Sequence, residues 1–389
     1  MPPTDIIDNG TAVRAGEAPA QPRHVDEVMR GVEQRLSTEF GVRDPLMVRT
    51  ASEGFLCTLL ALGIGPGDEV ILPVSICHTM INATLLAGAT PVLADCDEQM
   101  AVSAEAVRLG ITPRTRCIVA HHPFGRAVDL SPLRAVAARS SNPIVLVEDC
   151  AQALGAALDA PVGLFGDVAL FSFAARKPLA AGTGGMVVVH GRSPHDDSLR
   201  ARLRHTARIG TPGYPDEELL GWFSSPSPSD AAMLLEHIDR FRGDLRARLD
   251  VAAEALAVLA SSFRVLSSEN LHRWPPRSVF HRIVVDLPTR NLPGRYERIM
   301  RRLDVMLSPA ARRVVESGIP RAPFETEYLR ERYRRAGRED LCDPPGVEFP
   351  VWNSYRWRYA YLRTDASVSR SDILAACRAL VHAINSSED

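Results

Sequence analysis

A single lysine stands inside a long apolar and glycine-rich stretch, VALFSFAARKPLAAGTGGMVVV at residues 168–189. A free lysine amine has a pKa of about 10.4, so it acts as a nucleophile at neutral pH only where that pKa falls by roughly three units, about 4 kcal/mol. Apolar surroundings and a neighbouring cation both act in that direction, and Arg176 directly precedes Lys177. The stretch predicts either a reactive amine or a lysine that reaches from a strand end into water.

Two more polar residues follow an apolar run upstream. The segment VEDCAQALGA at 147–156 places Asp149 at the end of the run IVLV and Gln152 three residues later. Because open α/β folds bind ligands at the carboxyl ends of parallel strands, Asp149 could pair with a protonated heteroaromatic nitrogen while Gln152 binds the same ligand. Asp149 could equally be the N-cap of a helix formed by CAQALGA.

Six short apolar runs predict strands buried on both faces, and hence a mostly parallel sheet covered by helices. They are EVILPV (69–74), TPVLADC (90–96), RCIVAHHPF (116–124), PIVLVEDC (143–150), DVALFSF (167–173) and GGMVVVH (184–190). Helices are predicted over 54–63 and 130–140. The string GIGPG at 63–67 follows a helix and precedes a strand, so it is not a dinucleotide-binding fingerprint.

The pattern changes after a long helix predicted over residues 229–260. Strands are predicted over 278–288 and 356–364, and helices near 293–304 and 369–384. This mixture predicts a smaller α+β domain at the C-terminal end. We divide the chain into an N-terminal arm (1–25), a large domain (26–244) and a small domain (245–389).

Composition limits the function classes. The 389 residues carry a formal net charge of −2 without a long run of like charge, which disfavours binding to nucleic acid or to an anionic membrane. The chain start lacks a signal-peptide pattern and no stretch approaches eighteen apolar residues, so we expect a cytoplasmic protein, without a membrane span, that acts on small molecules. Seven cysteines without a C-x-x-C pair predict buried thiols, and no metal site is expected.

Taken together, these residues resemble the DegT/DnrJ/StrS-like sugar aminotransferases, a family of pyridoxal phosphate (PLP) enzymes of fold type I. The family pattern EDxAQAxGA…GD…FSFxxxK…GxGG is carried by residues 148–156, 166–167, 171–173, 177 and 182–185. The segments 59–73, 87–97 and 121–130 are similar to successive family segments in the same order. The resemblance implies a large domain with a mostly parallel sheet flanked by helices, and a smaller α+β C-terminal domain.

The resemblance also implies roles at the cofactor. Lys177 would link covalently to PLP and, once displaced by an amino donor, would move the proton between the substrate carbon and the cofactor. Asp149 would hold the pyridine nitrogen protonated, and Gln152 would face the phenolate oxygen. Ser172 would bind the phosphate with the turn TASEG at 50–54, to which Ala51 and Ser52 belong.

Other positions match the family less well. His122 corresponds to a family histidine, which would contact substrate or simply close a strand. Arg176 would bind a substrate carboxylate or phosphate, or face solvent. Cys77 stands where the family has an aromatic residue that stacks on the pyridine ring, and His78 beside it could take over that stacking if the helix is rotated, so both are candidate cofactor contacts. The segment GWFSSPSPSDAA at 221–232 lacks the asparagine and arginine that reach the partner subunit in the family.

The leading hypothesis is therefore an aminotransferase that takes an amino group from glutamate or glutamine, stores it as pyridoxamine phosphate (PMP), and delivers it to a ketone on a sugar nucleotide or related cyclic metabolite. Such an enzyme would serve secondary-metabolite (antibiotic) or cell-surface sugar biosynthesis. One alternative is another PLP reaction at an amino acid, such as elimination, substitution or C–C bond formation. A second is a non-catalytic ligand-sensing or partner-binding homologue. The family also implies a homodimer, with residues 207–229 as the expected contact.

Overall fold

Two β-sheets, one of seven strands and one of four, organise the chain. The computed structural model describes residues 22–190, 196–209, 220–266, 276–289, 293–317, 327–335, 337, 349–355 and 357–385. The expected N-terminal arm lies almost entirely outside the described residues. Cys342 and the middle of the expected subunit contact, residues 210–219, lie outside them as well.

The large sheet confirms the mostly parallel α/β sheet predicted from the sequence. Its strands are β1 (Leu46–Val48), β2 (Glu69–Pro73), β3 (Thr90–Ala94), β4 (Thr115–His121), β5 (Val145–Asp149), β6 (Val168–Ser172) and β7 (Gly185–Val189). Their spatial order is β1-β7-β6-β5-β4-β2-β3, and β7 alone runs antiparallel to its neighbours. All six predicted strands are present, and β1 is the addition.

Helices cover both faces of the large sheet. They are α1 (Pro22–Phe40), α2 (Ala51–Ala61), α3 (His78–Leu86), α4 (Ala104–Gly110), α5 (Ser131–Ala137), α6 (Asp196–Arg208) and α7 (Pro228–Leu259). Successive residues of β6 pack into different cores: Leu170 lies with residues of α2 and α3, whereas Phe171 lies with residues of α1 and α7. This burial on both faces explains why the strand sequences are continuously apolar.

The small sheet is antiparallel and consists of the four later strands of the chain. Its strands are β8 (Arg264–Leu266), β9 (Arg282–Asp286), β10 (Val315–Ser317) and β11 (Tyr359–Arg363), in the spatial order β10-β11-β9-β8. The later helices are α8 (Pro293–Met306), α9 (Pro309–Arg312), α10 (Glu327–Arg335), α11 (Pro350–Tyr355) and α12 (Arg370–Asn385). The two strands and two helices predicted for this region are confirmed as β9, β11, α8 and α12.

Helix α7 connects the two sheets. It begins after Ser227, whose hydroxyl accepts a hydrogen bond from the Asp230 amide, and its buried side chains continue from Ala231 to Leu259. The long helix predicted over 229–260 is therefore confirmed. Because α7 runs without a break across residue 245, the division of the chain at that residue stays a prediction.

The residues singled out from the sequence follow or end strands at one edge of the large sheet. The carboxyl ends of β1, β2, β4, β5 and β6 share this edge, and β7 begins there at Gly185. A Cβ atom on Gly185 would lie 2.7 Å from the Ala51 nitrogen and 2.9 Å from the Phe171 oxygen. Only glycine therefore lets the turn before α2 approach the strands so closely.

Two expectations drawn from composition can be compared with the structure. Within the described ranges, no helix has both the length and the apolar character needed to cross a bilayer. Five cysteines are buried as expected: Cys57, Cys96, Cys117, Cys150 and Cys377. The expectation is wrong for Cys77, which is exposed because it precedes α3 at the open edge of the sheet. The cytoplasmic location stays a prediction.

Candidate active site

Lys177 lies on a short, braced loop between β6 and β7. Its amide donates to the Ala174 carbonyl at 2.8 Å, and the Ala181 amide donates to Phe173 at 2.7 Å, which closes the loop. The Thr183 hydroxyl donates to a carboxylate oxygen of Asp230, at the start of α7, at 2.8 Å. The half-buried lysine is thus held at the carboxyl edge of the sheet.

The surroundings of Lys177 favour a neutral amine. Burial lowers its pKa, the charges of Arg282 and Arg176 act in the same direction, and Asp149 and Cys77 oppose them. Lys177 is also the only lysine in the sequence, so the other basic side chains counted in its charge are arginines, which stay protonated. The lowered pKa has the direction that a reactive amine requires.

Asp149 ends β5 with one carboxylate oxygen engaged. Its Oδ1 accepts a hydrogen bond from the Ala151 amide at 2.9 Å, and among the described residues this is the only hydrogen bond to the carboxylate. Burial raises the pKa of Asp149, while the Ala151 amide and the charge of Lys177 act against that rise. Residues 151–155 form turns rather than the helix that the capping alternative requires. Oδ2 is therefore available to a cationic ligand.

The Gln152 side chain has a defined orientation. Its Oε1 accepts a hydrogen bond from the Phe124 amide at 2.8 Å, inside the short 3-10 turn Pro123–Gly125. An amide nitrogen in that place would face another donor, so Nε2 must be the atom that points elsewhere. Gln152 can therefore offer N–H groups to an acceptor near Asp149.

An anion-binding corner adjoins this region. Thr50 accepts a hydrogen bond from Glu53 as the N-cap of α2, and the first turn of a helix carries amides that the helix itself does not pair. Ser172 pairs with Gly185 across β6 and β7, and Gly185 packs against Ala51. The structure thus brings Ser172 next to the start of α2, where Ala51 and Ser52 lie.

No aromatic ring occupies the position of the expected stacking residue. Cys77 and His78 are both exposed, at the end of α3 that faces the edge of the sheet. The Cys77 sulfur lies 3.2 Å from the Thr79 hydroxyl, which accepts a hydrogen bond from the Ser52 hydroxyl at 2.7 Å. A polar chain of three side chains therefore runs from this position to the start of α2.

His122 is a buried structural residue in this geometry. Its Nε2 lies 2.9 Å from Glu148 Oε1, and its Nδ1 accepts a hydrogen bond from the Val128 amide at 3.0 Å. With Nδ1 as an acceptor, Nε2 must carry the proton and donate it to Glu148. Both ring nitrogens are engaged and the side chain is buried, so the geometry favours strand closure over the substrate contact considered from the sequence.

Glu148 accepts hydrogen bonds from three further donors beneath the site. Its carboxylate receives the amides of Gly163, Phe165 and Gly166 at 2.5, 2.8 and 2.8 Å. Burial opposes ionisation, but the hydrogen bonds from His122 and the glycine amides outweigh it and lower the pKa of Glu148 to about 2. Cys150 lies near this pair, in a group that could in principle hold a metal ion. The amides already fill the carboxylate, which argues against metal binding there.

The sequence interpretation missed a charged cluster on the small sheet. Arg282, the first residue of β9, makes two hydrogen bonds to Glu316 on β10, from Nε at 2.7 Å and from Nη2 at 3.2 Å. Arg176 reaches the same carboxylate, with its Nη1 at 3.3 Å from Oε1. The loop that carries Lys177 is thereby connected to the small sheet. Arg282 shows the signal that identified Lys177, a lone cation in an apolar run.

The chain is similar to known proteins both in sequence and in fold. Residues 23–315 match the profile of the DegT/DnrJ/EryC1/StrS aminotransferase family. A curated relative is the UDP-N-acetyl-3-dehydro-alpha-D-glucosamine 3-aminotransferase of Acidithiobacillus ferrooxidans. It is 32% identical over 268 residues, which span 67% of this chain and 69% of the relative.

Solved structures show the same fold over almost the whole chain. DesV of S. venezuelae, solved in complex with a ketimine intermediate, has a TM-score of 0.74 at 26% identity and covers 91% of this chain and 88% of its own. NtdA of Bacillus subtilis, solved with bound PMP, has a TM-score of 0.76 at 20% identity and covers 92% and 77%. From the matched residues, the fold and the curated relative together, the chain belongs to the DegT/DnrJ/EryC1/StrS aminotransferase family.

Proposed function

We propose that this enzyme transfers an amino group from glutamate or glutamine to a keto group of a sugar nucleotide or related cyclic metabolite. The family makes it a PLP-dependent aminotransferase of fold type I, which argues against the non-catalytic alternative. The curated relative, named for action on a UDP-sugar, supports the choice of acceptor class. The observation that carries the proposal is that Lys177 and Asp149 share the carboxyl edge of the sheet and interact electrostatically there. We extend the proposal to secondary-metabolite or cell-surface sugar biosynthesis.

The residues at this edge fit the cofactor. Asp149 has a free carboxylate oxygen for a protonated ring nitrogen, and Gln152 has a free amide nitrogen for a phenolate oxygen. The start of α2 and the Ser172 hydroxyl provide polar groups for a phosphate. We infer that these residues, with Ala51 and Ser52, hold PLP. When bound, the cofactor supplies an electron sink for the substrate carbon.

Lys177 performs the proton transfer in this proposal. A neutral amine accepts a proton from the substrate carbon and would return it to the C4′ carbon of the cofactor, so it must titrate near the working pH. Burial and the adjacent guanidinium groups lower the pKa of Lys177, while Asp149 opposes that shift. The hydrogen bonds that brace the loop limit its movement, so the same amine is positioned for both transfers.

We also propose that the protein forms a homodimer through the segment 220–223. Leu220, Trp222 and Phe223 expose 77%, 51% and 46% of their surface, although large apolar side chains are usually buried. The next residue, Ser224, accepts a hydrogen bond from the Arg49 amide at 3.1 Å, immediately before the turn that opens α2. A partner that covers these side chains would therefore lie beside the anion-binding corner at the start of α2.

The proposed chemistry is tested on the purified protein loaded with PLP. Borohydride should fix the cofactor to the peptide that contains Lys177, since no other lysine exists, and mass spectrometry should find it there. Adding glutamate before the reductant should remove the visible cofactor band and prevent labelling. The Lys177→Ala variant should bind cofactor without either response. Labelling without any response to glutamate or glutamine would contradict the proposed donors and favour another PLP reaction.

The dimer is tested by sedimentation velocity. The Trp222→Ser variant should shift the protein from dimer to monomer, because it removes the large ring from the exposed apolar group. Leu109→Ser, which changes a leucine on α4 with 69% of its surface exposed, is the matched control and should leave the dimer intact. A wild-type monomer, or equal behaviour of both variants, would contradict the proposed contact.

A further inference from the structure

One face of the small sheet presents a charged corner to the active site. The β-sheet register pairs Arg282 with Arg363 and Glu316 with Tyr361, so these four side chains project from the same face. Tyr361 packs its ring against Phe124, with the ring centroids 5.2 Å apart. Because Phe124 lies at the carboxyl edge of the large sheet, this face of the small sheet looks toward the site.

Several hydrogen bonds hold the Arg282 side chain in place, and they leave some of its N–H groups for a ligand. In addition to its two hydrogen bonds to Glu316, its Nη1 donates to the His281 carbonyl at 2.7 Å. Only 9% of its side chain is exposed, so the guanidinium has little freedom to turn. An arginine has five N–H groups, and these contacts use three of them. The Asp365 carboxylate, at 3.8 Å from Nη1, adds charge but is too distant for a hydrogen bond.

Positive charge exceeds negative charge in this corner. The guanidinium groups are Arg176, Arg282 and Arg363, with Arg248 close enough to interact with Arg282, whereas the carboxylates are Glu316 and Asp365. The positive groups outnumber the negative ones, so the corner is net positive beside the lysine. Arg176, whose side chain is 59% exposed, can turn toward a ligand without losing a buried contact.

We propose that Arg282, assisted by Arg176, recognises a carboxylate of the amino donor next to Lys177. This inference rests on the proposed aminotransferase function and names its specificity-determining residue. A carboxylate suits the corner because it carries a single charge and presents two oxygens to guanidinium groups. The corner therefore orients the donor so that its amine meets the cofactor-bearing edge.

The test compares donors that differ in their carboxylates. The visible band of the PLP-loaded enzyme is followed while L-glutamate, L-glutamine or the α-amide of glutamate is added to wild type and to Arg282→Gln. Losing a charge-assisted contact should raise the apparent Kd for a recognised donor by about 10- to 100-fold. If the α-carboxylate is bound, glutamate and glutamine weaken and the α-amide does not. If the side-chain carboxylate is bound, glutamate and the α-amide weaken and glutamine does not.

Arg358→Gln is the matched control, since it removes a two-bond arginine pair at Asp286, the far end of β9, from a residue that directly precedes β11. Arg358 binds Asp286 at 2.7 and 2.6 Å, and its loss should leave all donor affinities within about twofold of wild type. Arg282→Lys keeps the charge but not the planar fork, so it should give an intermediate loss of donor affinity. This conservative change measures the effect with the positive charge at position 282 retained.

The outcomes separate this inference from the proposed function. Equal weakening of all three donors by Arg282→Gln, or no weakening at all, overturns carboxylate recognition by Arg282. A wild-type enzyme that binds PLP but responds to none of the donors defeats the proposed function instead. An unchanged cofactor band and unchanged circular dichroism in the variants establish that the loss concerns the donor and not the fold.

Discussion

Glu148→Gln is the perturbation that best tests the structural support of the site. The wild-type carboxylate accepts hydrogen bonds from His122 and Gly163 on one oxygen, and from Phe165 and Gly166 on the other. A glutamine has the same size, but its amide nitrogen must face one of these pairs of donors. At least one buried N–H then loses its acceptor, and the charge disappears. The expected loss in unfolding free energy at pH 7 is about 3–5 kcal/mol.

The loss of stability caused by Glu148→Gln should depend on pH in a defined direction. The pKa of Glu148 is lowered in the folded protein from its ordinary 4.5 to about 2. Such a group stabilises the fold fully above its unfolded pKa, and this contribution disappears as the pH falls toward the folded pKa. Glutamine does not titrate. The difference in unfolding free energy between wild type and variant, here called the gap, should therefore narrow by about 1 kcal/mol at pH 4 and about 2 kcal/mol at pH 3.

Urea unfolding at pH 7, 4 and 3, followed by circular dichroism, measures this gap. The control is Glu105→Gln, the same change at an exposed glutamate that pairs with Arg108 on a helix surface, and it should leave the unfolding midpoint unchanged. A gap that stays constant from pH 7 to pH 3 would refute the lowered pKa. A gap below about 1 kcal/mol at pH 7 would refute the four-donor arrangement itself.

Three further predictions concern the cofactor site. Gly185→Ala places a Cβ 2.7 Å from the Ala51 nitrogen and should raise the Kd for PLP at least about tenfold, measured by fluorescence titration, whereas Gly31→Ala, with no atom within 4 Å, should not. Gln152→Glu keeps an acceptor for the backbone but removes the donor to the phenolate, so the visible absorption maximum of bound PLP should shift. Among the described cysteines Cys77 should react first with iodoacetamide, and bound PLP should slow that reaction; mass spectrometry of timed samples would expose a wrong assignment.

Much of the large sheet could be predicted because its signals are local. The parallel strands are largely continuous apolar runs, and β4, β5 and β6 end in the polar residues His121, Asp149 and Ser172, so strand positions and the polar edge appear together. Asp149, Gln152 and Ser172 therefore emerge as neighbours before any coordinates are considered. The sequence carries a further signal on which the prediction for this residue did not rest: Lys177 is its only lysine, and the other residues in the Lys and Arg count are arginines.

The remaining features depend on contacts that no local pattern encodes. Arg282 and Glu316 are distant from Lys177 in the sequence and meet it only because the small sheet packs against the polar edge. His122 looked like a possible substrate contact because a histidine after a strand has two free nitrogens until its neighbours are known. Glu148 and Val128 engage both, which only the folded chain reveals.

Helix α7 has a mechanical consequence for catalysis. Its thirty-two residues, at about 1.5 Å each, make a helix roughly 48 Å long. In its first turn, Asp230 accepts a hydrogen bond from Thr183 of the lysine loop. Its last turns pack in one core with Ile283 and Val285 of β9, the strand that begins at Arg282. A continuous helix resists bending, so the loop that carries the amine and the strand that begins at Arg282 both rest on one rigid part. We therefore expect the two to move together rather than as separate pieces.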